Sequence, residues 1–195
     1  MEKGKCFSMT NQGQRNPKDF YQTPRAFTKL LLDNEYFNKD FFVFEPACGN
    51  GAIVDVLKEN GYPVIGADKE MGDDFLVGDF TSHQLITNSP FSLAKEFILQ
   101  AKKLVSWKFA LLLPLNYLSG QWRYENIFSD KEFPLAKVYV MTRMPMLSEE
   151  LREDGKFKTG MQVYAWMVWE KNWTGEPVIR WLDIQPWVYS KRKDK

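Results

Sequence analysis

FFVFEPACGNGAIV, residues 41–54, is the stretch from which the rest of the chain can be placed. Phe41–Phe44 is a continuous apolar run ending in Glu45, suited to a short strand buried on both faces. Glycines at 49 and 51 let the backbone turn sharply and come close to a ligand. A helical segment follows to about Asn60 and is closed by Gly61. Strand, glycine turn and helix make the opening unit of an α/β sheet, whose ligands sit at the carboxyl ends of the strands.

Upstream, Thr23 is expected as a helix N-cap, with Pro24 at the first helical position and Phe27, Leu30 and Leu31 at helical spacing. Downstream, PVIGAD (63–68), DFLVGDF (74–80) and HQLITNSPF (83–91) read as the second, third and fourth strands. A helix over 92–104 and the apolar strand WKFALLLPL (107–115) come next. Gln121–Phe128 suits a short helix, and 136–141 and 161–171 read as strands. Between those two lies a polar connection, 143–160, either a loop or a solvated helical turn. With no evident helix there, the last pair is expected to be an antiparallel hairpin. The predicted class is α/β: a Rossmann-like, mostly parallel seven-stranded sheet with helices on both faces. The expected organisation is a flexible leader over 1–19, one domain over 20–190 and a basic tail over 191–195.

Composition narrows the function. The chain has 195 residues, enough for one domain with a sizeable core, and its 44% hydrophobic content argues against bulk disorder. Basic and acidic residues number 26 and 25, a balance that argues against a wide nonspecific grip on duplex phosphates. No apolar run approaches the roughly 18 residues of a membrane span, and the polar start lacks the apolar stretch of a secretory signal. Cys6 and Cys48 are expected to be reduced thiols in a cytoplasmic protein. Two cysteines and one histidine, His83, are too few for a typical zinc site, so no metal is expected.

A dinucleotide site favours a small third residue where the helix presses on the sheet, but Val54 stands there. That weakens a nicotinamide cofactor and leaves S-adenosylmethionine (AdoMet), which has no phosphate to seat. Three strand-end acids surround the turn. Glu45 can meet an ammonium, Asp68 a pair of ribose hydroxyls, and Asp79 an adenine amino group with Phe80 beside the ring. Taken singly, each acid is more often a solvated strand-end residue; three in succession around one glycine turn are less easily dismissed.

ITNSPFSLAKEFI places Asn88-Ser89-Pro90-Phe91 at the end of the fourth strand. Here the chain resembles the amino-methyltransferases, whose fourth motif reads Asp/Asn/Ser-Pro-Pro followed by an aromatic residue. In particular it resembles phage and bacterial Dam-type DNA N6-adenine methyltransferases. FEPACGNG is similar to their first motif, FYQTP (20–24) to their AdoMet-contacting tenth motif, and YAWMVWEK (164–171) to their final strand. The resemblance covers roughly residues 20–171 and is tightest at the first and fourth motifs.

The resemblance implies an AdoMet-dependent methyltransferase fold and methyl transfer to N6 of adenine in DNA, as in restriction-modification systems, in a bacterial cell or phage-infected host. Alternative acceptors are RNA adenine and a protein glutamine, and a catalytically silent AdoMet- or nucleic-acid-binding module is a further reading. Phe20, Thr23, Glu45, Ala47, Gly49, Gly51, Asp68, Asp79 and Phe80 are the implied cofactor contacts. An aromatic amine is a poor nucleophile because its lone pair is delocalised. The Asn88 oxygen and the carbonyl of Ser89 can both accept from it and favour a pyramidal nitrogen, while Phe91 stacks on a flipped base. Ser89 stands where the family usually has proline; the carbonyl survives and the rigid φ does not. The same tetrapeptide also suits an ordinary strand-to-helix turn. For the acceptor, Tyr117, Trp122, Arg123, Arg143, Lys156 and Lys158 offer stacking and phosphate contacts, or else pack beneath the sheet and sit in solvent.

Overall fold

The structure is a computed structural model that describes residues 22–142 and 163–184. Its strands are β1 (Val43–Glu45), β2 (Val64–Gly66), β3 (Ser82–Thr87), β4 (Val105–Pro114), β5 (Leu135–Met141), β6 (Tyr164–Glu170) and β7 (Val178–Leu182). Its helices are α1 (Arg25–Asn34), α2 (Ala52–Glu59), α3 (Ala94–Leu104) and α4 (Gln121–Arg123), the last continued by a π-helical turn, Tyr124–Phe128. The strands form one seven-stranded sheet in the order β2-β1-β3-β4-β6-β5-β7. Only β6 runs against its neighbours, antiparallel to both β4 and β5, so the expected final hairpin is present.

Each face of the sheet carries its own core. Along β4, Phe109, Leu111 and Leu113 join Phe97, Ile98 and Ala101 of α3 on one side. Ala110 and Leu112 alternate to the other side, with Phe27 and Leu31 of α1 and Ile53 and Leu57 of α2. A strand buried on both faces must be apolar throughout, which is why β4 reads as a near-continuous run.

Two expectations fail and offset each other in the strand count. DFLVGDF is not a strand; it is a series of turns. The Asp74 carboxylate accepts the backbone N–H of Leu76 at 3.0 Å and its carbonyl accepts that of Gly78 at 3.0 Å. This local aspartate turn wins over the apolar content, burying Phe75 while leaving Val77 84% exposed. β2 is therefore an edge strand. The seventh strand is β7, parallel to β5 with Val140 opposite Trp181. The helix start also differs. Pro24 is the N-cap residue and makes no side-chain cap bond, and Thr23 lies outside the helix with its hydroxyl engaged elsewhere.

α1 is fastened to the sheet at both ends. Near its start, the Trp166 indole N–H donates to the carbonyl of Phe27 at 2.9 Å. Just past its end, the buried Glu35 carboxylate accepts from Lys108 at 2.7 Å, Lys137 at 2.8 Å and the Tyr139 hydroxyl at 2.7 Å. Burial pushes this carboxyl up, but the three donors outweigh it and hold it below the usual range.

Candidate active site

A cavity of ≈ 730 Å³ opens over the carboxyl ends of β1, β2 and β3. That size is typical of a small-molecule site. Its walls are the glycine turn, the turn after β2, the entry to α1 and the Asn88–Phe91 tetrapeptide. Of the expected cofactor and catalytic residues, Thr23, Glu45, Ala47, Gly49, Asp68, Asn88, Ser89, Pro90 and Phe91 line it together.

The glycine turn is fixed by backbone bonds to β2 and the turn that follows. The Cys48 N–H donates to the carbonyl of Ala67 at 3.0 Å and the Ala67 N–H to that of Glu45 at 2.9 Å. Gly49 and Gly51 take φ of 48° and 81°, the left-handed region that side chains avoid. Asp68 follows β2 and reaches across to the turn. One of its oxygens accepts the Gly49 N–H at 2.9 Å and the other the Glu70 N–H at 2.9 Å. An ionised carboxylate has about four acceptor sites, so two remain for a ligand diol. Among the described residues, the acids Glu45, Asp68 and Glu70 line the cavity against one base, Lys69, which pairs with Asp74 at 2.7 Å. This acidic lining and glycine cradle fit a cationic sulfonium cofactor.

Glu45 is 1% exposed and lies in the floor of the cavity, with Oε1 taken by the Thr87 hydroxyl at 2.7 Å. Burial pushes its carboxyl well above the usual range; the Thr87 hydroxyl and the N–H groups of Ala47 and Asn88 act against this, and nearby Asp68 adds to it.

The tetrapeptide leaves β3 and leads through a single 3₁₀ turn, Phe91–Leu93, into α3. The Asn88 side-chain NH2 donates to the Thr23 hydroxyl at 2.9 Å. Ser89 is 2% exposed, and its hydroxyl has no hydrogen-bond partner among the described residues. The Phe91 ring lies against Tyr164 of β6, with centroids 5.3 Å apart.

Other expected residues fall elsewhere. Asp79 and Phe80 are not in the cavity wall; with the third strand gone, Phe80 packs on Phe44 at 4.9 Å between centroids. Gly51 caps α2 from the turn without itself lining the cavity. Tyr117 is half-buried against the α3-side core with the Arg123 guanidinium 4.8 Å over its ring. Trp122 is 40% exposed beneath the Lys95 ammonium at 4.3 Å, so it is this pair that faces solvent. Phe20, Arg143, Lys156 and Lys158 lie outside the described residues. His83 falls within β3, at the end away from the cavity, where its ring lies between those of Phe41 and Trp107. Burial lowers its pKa.

The sequence reading missed Thr87, Cys48, Glu70 and Met71, all at or under the cavity. Thr87 could have been found: a hydroxyl one residue before Asn88, on the strand beside Glu45, is placed to meet that acid.

No family model matches the chain, and no curated protein matches it in sequence. Solved structures do match in fold. A modification subunit assigned to a type I restriction enzyme of Vibrio vulnificus YJ016 superposes with a TM-score of 0.55 at 13% identity, over 87% of this chain and 48% of its own. The type I restriction-modification methyltransferase subunit of Streptococcus thermophilus gives 0.54 at 12%, over 85% and 48%. TrmN from Thermus thermophilus gives 0.53 at 16%, over 77% and 49%. The chain thus spans about half the length of these proteins. At such identities the likeness concerns architecture, and that architecture is the Rossmann-like methyltransferase fold.

Proposed function

We propose that this chain is an AdoMet-dependent methyltransferase that transfers a methyl group to the exocyclic N6 of adenine in DNA. The observation that carries the reading is the meeting, in one cavity, of the Gly49 turn, the Asp68 carboxylate and the Asn88–Phe91 tetrapeptide.

AdoMet supplies a methyl carbon made electrophilic by its sulfonium. The Asp68 carboxylate, held by two backbone N–H groups, accepts from the ribose hydroxyls. The acidic lining favours the positive charge at the sulfonium end. Asn88 Oδ1 and the carbonyl of Ser89 accept from the amino group of the acceptor and aim its lone pair at the methyl carbon. Phe91, buttressed by Tyr164, offers a face on which an extruded base stacks. Held by Asp68 and the Gly49 turn, AdoMet would supply the methyl group to the nitrogen that Asn88 and Ser89 orient, and the amine proton would leave to water. Orientation supplies most of the rate, so no strongly basic side chain is needed. On the acceptor side we place Tyr117, Trp122 and Arg123, with the exposed Trp122 face as a stacking surface for a neighbouring base. The resemblance to phage and bacterial enzymes suggests the cytoplasm of a bacterial cell or phage-infected host as the setting.

The test is mass spectrometry of nucleosides in DNA from cells expressing the protein, beside Asn88→Ala. N6-methyladenine confined to wild type supports the reading. Transfer of labelled methyl only to RNA or to protein glutamine moves the acceptor. Cofactor and DNA binding without transfer to any acceptor would make the chain a silent module.

A further inference from the structure

An asparagine amide presents an oxygen and an NH2 group of nearly equal size, and only one of its two orientations can help an amine react. With the oxygen forward it accepts from the amine; with the nitrogen forward, donor meets donor and the contact is repulsive. The tetrapeptide alone does not choose between them.

In this fold one partner of the amide lies 65 positions away in sequence. The Asn88 NH2 donates to the Thr23 hydroxyl at 2.9 Å. A hydroxyl can donate or accept; here the amide nitrogen is the donor, so Thr23 accepts and Oδ1 is turned away from it. Thr23 is 5% exposed and has little freedom. Its β-branched side chain restricts χ1, and its backbone precedes Pro24, which restricts it to extended conformations. α1, which begins two residues later, is fastened to the sheet by Trp166 at Phe27 and by the Glu35 cluster at its far end. The acceptor that fixes the amide is therefore itself fixed.

We infer that Thr23 is a positioning residue for the Asn88 amide, holding that side chain with its NH2 on the Thr23 hydroxyl and its Oδ1 directed away from it. Resemblance makes Thr23 a cofactor contact; the hydrogen bond ties it to the acceptor half of the site. The contact stands on geometry alone, while its consequence for turnover rests on the methyl-transfer reading.

The experiment compares Thr23→Val, which keeps the shape and removes the acceptor, with Thr23→Ser, which keeps the acceptor. Two readouts separate the levels. The first is solvent exchange of the Asn88 side-chain NH2 by nitrogen-15 NMR, assigned by its loss in Asn88→Asp. Exchange should be faster in Thr23→Val and unchanged in Thr23→Ser. Equal exchange in all three proteins would overturn the contact, whether or not the chain is an enzyme. The second readout is kinetic. Thr23→Val should lose about 10- to 100-fold in kcat, the scale of a misoriented reacting group, with cofactor Kd held within about twofold of wild type and Thr23→Ser recovering most of the rate. A loss that falls on cofactor Kd while kcat is kept would return Thr23 to the cofactor and overturn the inference. If the wild-type protein methylates no acceptor, the functional reading falls and the exchange result still decides the contact.

Discussion

The Thr87 hydroxyl donates a 2.7 Å hydrogen bond to Oε1 of Glu45, joining the tips of β3 and β1 directly beneath the cavity. Thr87 is fully buried and Glu45 nearly so, which makes this the polar floor on which the Asn88 turn rests. A buried carboxyl beside a second acid, Asp68, favours its neutral form until a cation enters.

Stability should therefore depend on pH through Glu45 in a definite direction. Its folded pKa is raised above the ordinary 4.5, so the folded protein holds a proton that the unfolded chain gives up. The stabilisation is whole below the unfolded value and is lost as pH rises through the folded one. Glu35, Asp74 and Asp130 are shifted down and act oppositely, losing their contribution as pH falls through their folded pKa values. On the alkaline side of 4.5, Glu45→Gln should flatten the fall of cofactor-free Tm with pH. Binding of a cationic cofactor should also release a proton, seen as a buffer-dependent calorimetric enthalpy. Parallel pH profiles for the variant and wild type would remove Glu45 from this role.

Asp68→Ala should weaken cofactor binding by about 1–3 kcal/mol, the cost of losing charge-assisted hydrogen bonds in a partly buried site. Part of that loss is indirect, because the variant also frees the Gly49 N–H that Asp68 holds at 2.9 Å. Unchanged affinity by calorimetry would show that the ribose sits elsewhere.

What the sequence made legible was chemistry carried by short neighbouring residues. The Gly49 turn and Asp68 stood out by local pattern and Asn88–Phe91 by resemblance, and they do share a cavity. β4 was also readable as a continuous apolar run, and the antiparallel β6 from the lack of an evident helix before it. The failures have physical causes. DFLVGDF carried strand-like apolar residues, but Asp74 bound its own backbone first. β7 hid because four of its five residues are exposed, so Val178–Leu182 shows no buried stripe. Thr23 looked like a helix cap since a cap is what a local reading can see; its partner, Asn88, is brought in by the sheet.

Val54 shows how a departure from a motif can be absorbed. A Cβ built on Gly66 would stand 3.0 Å from Val54 Cγ2 and 3.4 Å from the Cys48 side chain. The close approach of helix and strand survives because the missing side chain is on the strand, not on the helix. Gly66→Ala should destabilise the protein by about 1–3 kcal/mol through overpacking. Combined with Val54→Ala, the loss should be less than the sum of the two single changes, since the methyl added at 66 fills the space vacated at 54. Additive losses in urea titrations would mean that the two residues do not share this contact.

Ser89 offers a test of the opposite kind. A buried hydroxyl without a partner costs about 1–3 kcal/mol relative to a satisfied one, and the Ser89 hydroxyl has none among the described residues. Ser89→Ala should raise Tm. Ser89→Pro, which restores the usual family residue, should preserve or raise turnover while keeping the carbonyl. A marked drop in kcat for both variants would mean that the hydroxyl meets the acceptor in the complex.

Glu35 should prove the most costly single residue to remove, although it lies far from the cavity. Its side chain is fully buried and is shared by Lys108, 3% exposed, and Lys137, 19% exposed. Glu35→Ala leaves two ammonium groups beneath α1 without their shared carboxylate; among the described residues, Lys108 keeps Glu170 at 3.3 Å and the Tyr36 carbonyl at 3.1 Å. Breaking a buried pair from one side typically costs about 3–5 kcal/mol, and that loss should appear in the urea midpoint. Replacing Glu35 and Lys108 together by leucine and methionine should cost less than Glu35→Ala alone, because no lone charge stays behind at Lys108. If the double change is the worse of the two, the cluster contributes net attraction beyond satisfying its own members. The cofactor half of the site supplies a control: Asp68 and Gly49 hang on β2 and the turn after β1, so cofactor Kd should hardly move in a Glu35 variant that still folds. Turnover should fall instead, since α1 carries the Thr23 hydroxyl to Asn88.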